Sequence, residues 1–445
     1  MPFAKILKSS VSRAPYTGPR LPSELWSEIF LVVCGSFCES PNDYAARVLA
    51  LCAVHTVWFG MILAESRLWT GLYIDHKVSL DFVRTVTVHS QQQPMHLFVV
   101  ANSDDDMCFG IHFGRIIPLL STILGRSHRI SLFSNSYFDA TALLRWLSTA
   151  TAKRVSRLDF DFPFGFEFED TDYSFDGLLP FSVITTLVFR YTFVLFPWTT
   201  FASSVSRLRI GPISTRGSGG ITWNSLSHML SSCHALTHLF FDEVECADAP
   251  YALMNPKIEC TMPLVRYMGV VCESYTTGFM MQLFGVPALS DLYFESRTQT
   301  LNFLAGGLIG ISIDFLATVK TLCMTIEIHH PTVMLQVLKA FPSLEILDLR
   351  LSSRCTVQSL SKVRDFYPAP LCSFLRTIHV AYREKNKVLR GIMCGREPGH
   401  FTRDCKMVVT MAGICAPYAE KCFKGKRGSL KGLPYEPPPA DAFDW

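Results

Sequence analysis

The sequence predicts an α/β protein: a short helical N-terminal module followed by a solenoid of strand-and-helix repeats with a curved parallel sheet. Three observations carry that expectation. A short apolar phrase recurs from Val155 to Val380, amphipathic segments precede several of its copies, and Leu21 to Ile74 holds two apolar stripes at helical period.

The N-terminal stripes come first. Pro22 has the fixed φ that suits a first helical position, and Glu24 places negative charge in the first turn. Leu25, Trp26, Ile29, Phe30 and Val33 then fall on one helical stripe. Gly35 to Pro41 breaks the pattern, and Asn42 or Asp43 can cap a second helix carrying Val48, Leu51, Val54, Trp58 and Ile62. Leu68 and Trp69 follow, then a strand-like Leu72-Tyr73-Ile74.

At these residues the chain resembles an F-box, in the form common among fungal proteins. The matching features are the Leu21-Pro22-x-Glu24-Leu25 opening, the Ile29-Phe30 pair, Leu51 and Val54 followed by Trp58, and the closing Leu68-Trp69. The connector from Leu31 to Ala46, which holds Cys34 and Cys38, is longer than the minimal F-box loop. The resemblance implies docking on the SKP adaptor of a cullin-based ubiquitin ligase. It also implies the adaptor-binding residues: Leu21, Pro22, Leu25, Trp26, Ile29, Phe30, Leu51, Val54, Trp58, Leu68 and Trp69. The alternative is a helical cap that only covers the end of the next domain.

At 445 residues the chain is too long for one ordinary core unless it repeats or contains a second domain. An apolar fraction of 49% with 18% charged residues excludes disorder for most of it. The formal net charge of +3 is unevenly placed: Ala381 to Tyr435 holds twelve Lys or Arg against four Asp or Glu. Fifteen scattered cysteines and the absence of an Asn-x-Ser/Thr sequon favour a reducing compartment, cytoplasmic or nuclear, with most thiols acting as small buried hydrophobes. Residues 1–20 lack the apolar core of a secretory signal and read as a short disordered leader. Val48 to Ala64 has no formal charge and nears spanning length, but His55, Thr56 and Trp58 interrupt it, so no membrane span is expected.

Beyond Ile74, Leu80 to His89 reads as a helix, Met95 to Val100 as a strand, Asn102 to Asp106 as a turn, and Ile111 to Leu124 as a helix with Pro118 as its break. The phrase then begins: apolar, two variable residues, apolar, one variable, apolar. Its copies start at Val155, Ile184, Val205, Leu236, Leu289, Val319, Leu344 and Leu375; a weaker one sits at Leu264 to Tyr267 and an early one at His128 to Phe133. Ala142 to Ser148, Trp223 to Ser232 and Pro331 to Phe341 supply returning helices. Neither element buries its apolar face alone, whereas stacked units share a continuous core. The phrase resembles degenerate fungal leucine-rich repeats without their asparagine ladder. A doubly wound α/β sheet is the alternative.

Complete catalytic motifs are absent: there is no G-x-x-x-x-G-K-[ST], no G-x-G-x-x-G after a strand, no H-E-x-x-H and no G-x-S-x-G. Gly217 to Gly220 lacks the lysine of a phosphate loop, and His329-His330 on a strand would point to opposite faces. Asp104 to Asp106 reads as a solvated turn. The stretch from Cys394 through His400 to Cys405 resembles half of a CCHC zinc knuckle. Gly391 stands where the first thiolate belongs, and the gap to His400 is one residue too long, so no metal is expected. Lys421, Lys424, Lys426, Arg427 and Lys431 form a basic cluster read as a solvated terminus.

The expected organisation is a leader over 1–16, an F-box-like module over 17–75, a leucine-rich-repeat-like solenoid over 76–384 and a basic, partly disordered tail over 385–445. The expected function is a non-enzymatic substrate receptor of a cullin-type ubiquitin ligase, with no cofactor, the repeats holding a client protein. The alternative is a non-catalytic scaffold or nucleic-acid-associated protein acting through the tail.

Overall fold

The computed structural model describes residues 21–37, 40–101, 106–149, 154–162, 183–191, 202–212, 222–244, 260–272, 284–296, 316–325, 328, 330–352, 374–382 and 406–411. The leader, Gly217 to Gly220, His329, the Cys394 to Cys405 stretch and the basic cluster lie outside the described residues. The fold is mixed α/β with a large parallel sheet. It divides into two compact units, the first running to Val205 with residues 217–219, the second comprising Ser206–Arg216 and Gly220–Trp445.

In the first unit, helices α1 (Ser23–Cys34), α2 (Pro41–Val54) and α3 (Thr56–Ala64) and a 3-10 turn (Ser66–Trp69) precede β1 (Gly71–Ile74). Then come α4 (Leu80–His89), β2 (Met95–Ala101), α5 (Asp106–Leu124), β3 (Ser127–Ser134), α6 (Tyr137–Thr149), β4 (Arg157–Asp161) and β5 (Thr186–Arg190). Strands β1 to β5 pair in parallel and in chain order. Two local expectations are corrected. The second N-terminal stripe is two helices, because His55 is extended (φ −156°) and its Nδ1 accepts the Val57 N–H, capping a fresh helix. Pro118 does not end α5. One lost backbone bond is outweighed by burial of Phe113, Ile116, Leu120, Ile123 and Leu124 on both sides of it.

The second unit contains β6 (Arg207–Ile210), α7 (Trp223–Ser232), β7 (His238–Asp242), β8 (Cys260–Thr261), β9 (Tyr267–Cys272), β10 (Phe284–Gly285), β11 (Asp291–Ser296), β12 (Thr321–Thr325), α8 (Pro331–Ala340), β13 (Ile346–Ser352), β14 (Thr377–Tyr382) and β15 (Lys406–Met411). Strands β6, β7, β9, β11, β12, β13, β14 and β15 are parallel neighbours in that order, while β8 and β10 pair separately. The sheet therefore exceeds the expected solenoid at both ends. β1 lies inside the N-terminal module, and β15 inside the expected tail.

The recurring phrase has a physical cause. Its first apolar residue closes a turn back to a residue three positions earlier: Val205 to Ala202, Leu236 to Cys233, Val265 to Met262, Leu289 to Val286, Val319 to Leu316 and Leu344 to Phe341. Those earlier residues are buried too, so the unit is one apolar position longer than the phrase read from sequence. The weak copy at Leu264 is displaced by one: Val265, Met268 and Val270 are buried and Leu264 is exposed. The second residue of each phrase then stitches neighbours together. The Ser206 carbonyl accepts N–H groups from Thr237 and His238, the Thr237 carbonyl those of Arg266 and Tyr267, and the Arg266 carbonyl those of Ser290 and Asp291. Ser290, Lys320 and Glu345 continue the series.

Where the strands' other face is crowded, polar residues are buried with partners. In the first unit, Ser131 Oγ donates to Asp159 Oδ2 (2.7 Å), and Arg129 and Arg157 grip the same carboxylate at 2.6 and 2.8 Å. With the Ser131 proton committed, His96 Nε2, 2.9 Å from Ser131 Oγ, is the donor of that contact. Burial, aided by the Arg129 charge, holds His96 down to about 3. Asp159 is lowered as well: burial works against its charge, and Arg129, Arg157 and the Ser131 bond outweigh burial.

Both shifts have the same sign for stability. Unfolded His96 takes a proton below about pH 6.5 while the folded ring refuses it, so stability falls on acidification towards pH 3, by up to about 1.4 kcal/mol per pH unit. Asp159 adds a loss below its unfolded value as pH falls through its lowered folded one. Denaturant melts between pH 7 and pH 4 should show this slope. The His96→Gln variant, which keeps a donor for Ser131, should flatten it; an unchanged slope would mean His96 is not the titrating group.

Candidate partner-docking surface

Helix α1 has two apolar faces. Trp26, Phe30 and Cys34, four residues apart, are buried. Trp26 and Phe30 meet Trp58 of α3, with ring centroids 5.2 and 5.3 Å away. Trp69 Nε1 donates to the Ile62 carbonyl at 2.8 Å, and its ring lies 5.5 Å from His89. Tyr44 donates its hydroxyl proton to the Leu68 carbonyl, and burial raises that phenol's pKa. These contacts hold three helices and the 3-10 turn as one body.

The other face of α1 has no such cover. Leu21, Leu25, Ile29, Val32 and Val33 are exposed, Leu25 by 50% and Val32 by 80%. Val54 at the end of α2 and Val57 at the start of α3 are exposed as well. Helix α3 (Thr-Val-Trp-Phe-Gly-Met-Ile-Leu-Ala) is apolar nearly all round, yet Ile62 is its one buried residue. A helix of that composition belongs in an interior.

The expected adaptor-binding residues therefore divide. Leu21, Pro22, Leu25, Ile29 and Val54 lie on the open surface; Leu51 and Trp58 are half-buried; Trp26, Phe30, Leu68 and Trp69 are interior and bind the module to itself. Val32 and Val57 belong to the open surface and were not singled out from sequence. At the α1 N-terminus a shallow cleft is lined by Ser23, Glu24, Leu25, Ser27, Glu28, Glu65 and Arg67. Arg67 pairs with Glu65 and reaches Glu28 at 2.8 Å. Its hydrogen bonding holds the Glu65 carboxyl at about 2.

The residue that anchors the module to the sheet is Phe37, which sequence reasoning passed over. Its ring meets Tyr44 and His96 edge-on at 5.5 and 5.0 Å. It also lies on Gly71, where a Cβ would stand 2.2 Å from the ring. The signal was a lone aromatic in a polar loop paired with a strand-opening glycine; neither stands out by itself.

Among the described residues of the module, Cys34 and Cys52 are buried. Burial pushes Cys34 to about 11, against the opposing Arg47 charge, and Cys52 to about 12. Among the described residues there is no cluster able to hold a metal ion, and no helix is long and apolar enough to cross a membrane.

The Phe37–Gly71 contact is testable. Gly71→Ala should cost about 1–3 kcal/mol by overpacking, and Phe37→Ala about 3 kcal/mol or more by cavity formation. In the double variant the two losses should not add, because the added methyl fills the space the ring leaves. Additive losses in chemical denaturation would show that the two residues act separately.

No protein-family model matches the chain, and no curated protein matches it.

Proposed function

We propose that the protein is a non-catalytic substrate receptor: the helical module docks as an F-box on the SKP adaptor of a cullin-type ubiquitin ligase, and the parallel-stranded repeats, read as a degenerate leucine-rich-repeat solenoid, hold a client. The observation that supports this best is α3, apolar nearly all round with one buried residue, beside the uncovered Leu25–Ile29–Val32 face of α1. Exposed aliphatic side chains gathered on one helix face are the kind of surface that protein interfaces use. Trp26, Phe30 and Trp58 close on one another, while the Leu25–Ile29–Val32 side chains face outward.

Leu25→Asp with Ile29→Asp should abolish co-purification with the SKP adaptor while leaving thermal unfolding within about 1 kcal/mol of the parent, since both side chains are exposed. Binding should survive nuclease and moderate salt. Retained adaptor binding in the double variant, or loss of partners as salt rises, would remove this reading; the latter favours a charge-driven nucleic-acid contact.

A further inference from the structure

One face of the second unit's sheet carries an ordered row of rings and charges. Gly269 of β9 leaves space that Phe240 of β7 fills: a Cβ there would stand 2.2 Å from the Phe240 ring. Lying across that gap, Phe240 stacks towards Tyr293 of β11 at 6.1 Å. Arg209 of β6 covers Phe240 from the other side, its guanidinium 4.7 Å from the ring and 2.8 Å from Asp242. Two residues earlier on the same strands, His238 and Tyr267 stack at 4.4 Å with their planes 12° apart.

The register sets these rings between opposite charges. Arg207 pairs with His238, His238 with Tyr267 and Tyr267 with Asp291, so Arg207 and Asp291 close the two ends of one row. Arg209 is neutralised by Asp242, whereas Arg207 is exposed at the β6 end. At the β11 end Asp291 is half-exposed and accepts the Ser290 hydroxyl, while Glu295, four residues further along β11, accepts the Tyr293 hydroxyl at 2.6 Å. Both ends are felt at the middle: the Arg207 charge lowers the His238 pKa and the Asp291 charge raises it, against a larger lowering by burial.

We propose that this face binds an extended peptide segment of the client that crosses β6, β7, β9 and β11, presenting a carboxylate side chain to Arg207 and a basic side chain to Asp291, with proline or an aromatic residue between them on the Tyr267 and Tyr293 rings. Three strand spacings of about 4.8 Å separate the charged ends by roughly 14 Å, about four residues of extended chain. The proposal rests on reading the repeats as the client-binding part. It specifies the client's chemistry: opposite charges four residues apart around a flat apolar residue. A nucleic-acid backbone fits poorly, since Arg209 is already paired with Asp242 and the row runs into the Asp291 carboxylate.

The test uses the full chain and a fluorescein-labelled peptide, Gly-Glu-Gly-Pro-Tyr-Lys-Gly, against the same peptide with Gln for both Glu and Lys. Fluorescence anisotropy should show the charged peptide binding at least tenfold more tightly at low salt. Arg207→Glu, at an exposed position, should erase that advantage, and a peptide with Lys in place of its Glu should restore it on this variant. Equal affinity for the two peptides, indifference to Arg207→Glu, or no binding by either peptide would overturn the proposal. Adaptor pull-down on the same preparations separates the two readings. Intact adaptor binding without peptide discrimination sinks the peptide assignment alone, and peptide discrimination without adaptor binding sinks the ligase reading alone.

Discussion

A parallel strand in this protein cannot be completed by its own unit. Its second phrase residue offers a carbonyl that takes two N–H groups from the following copy, from Ser206 through Glu345 in unbroken series within the second unit. Buried backbone groups left without these partners would each cost about 1–3 kcal/mol, so a single copy is not viable and a run of them is. The same dependence explains why the phrase tolerates so much variation. Its variable residues are held through the backbone, and the apolar positions need only be apolar.

The polar residues buried on the strands' second face follow from the same stacking. Identical register places Ser131 beside Asp159 and Cys323 beside Asp348, which meets His379. Asp348 Oδ1 lies 2.8 Å from His379 Nδ1, and Cys323 Sγ lies 3.6 Å from Asp348 Oδ2. Once adjacent strands bring polar side chains together in a crowded layer, each must supply the other's hydrogen bond. These rows are therefore consequences of register. Asp348 thus stands between the Cys323 thiol and the His379 imidazole.

The N-terminal module obeys a different constraint. Trp26, Phe30, Trp58 and Trp69 close its interior, and Phe37 binds it to the first strands. With the large aromatics spent internally, what remains outward is aliphatic: Leu25, Ile29, Val32, Val54 and Val57. An interface built from such residues gains by area rather than by directional bonds, which suits a docking surface carried on a rigid body.

Helix and strand identity was legible wherever one period dominated. Leu80 to His89 and Trp223 to Ser232 form helices with the bounds read from their apolar spacing, and the phrase located β6, β7, β9, β11, β12, β13 and β14 but not β8, β10 or β15. Periodicity does not report three other things. It cannot see that His55 replaces a helical bond with its own ring, that burial carries a helix through Pro118, or that Leu264 is one residue out of step. It also assigns a residue to a stripe without saying what lies against it. Trp26 and Leu25 are neighbours with equal claims to an interface. Sequence by itself determined that both are apolar on one helix; only the tertiary structure decided that Trp26 turns inward to Trp58 while Leu25 stays outside. The physical reason is that exposure depends on which distant side chains fill the space, and that space exists only once the helices have packed.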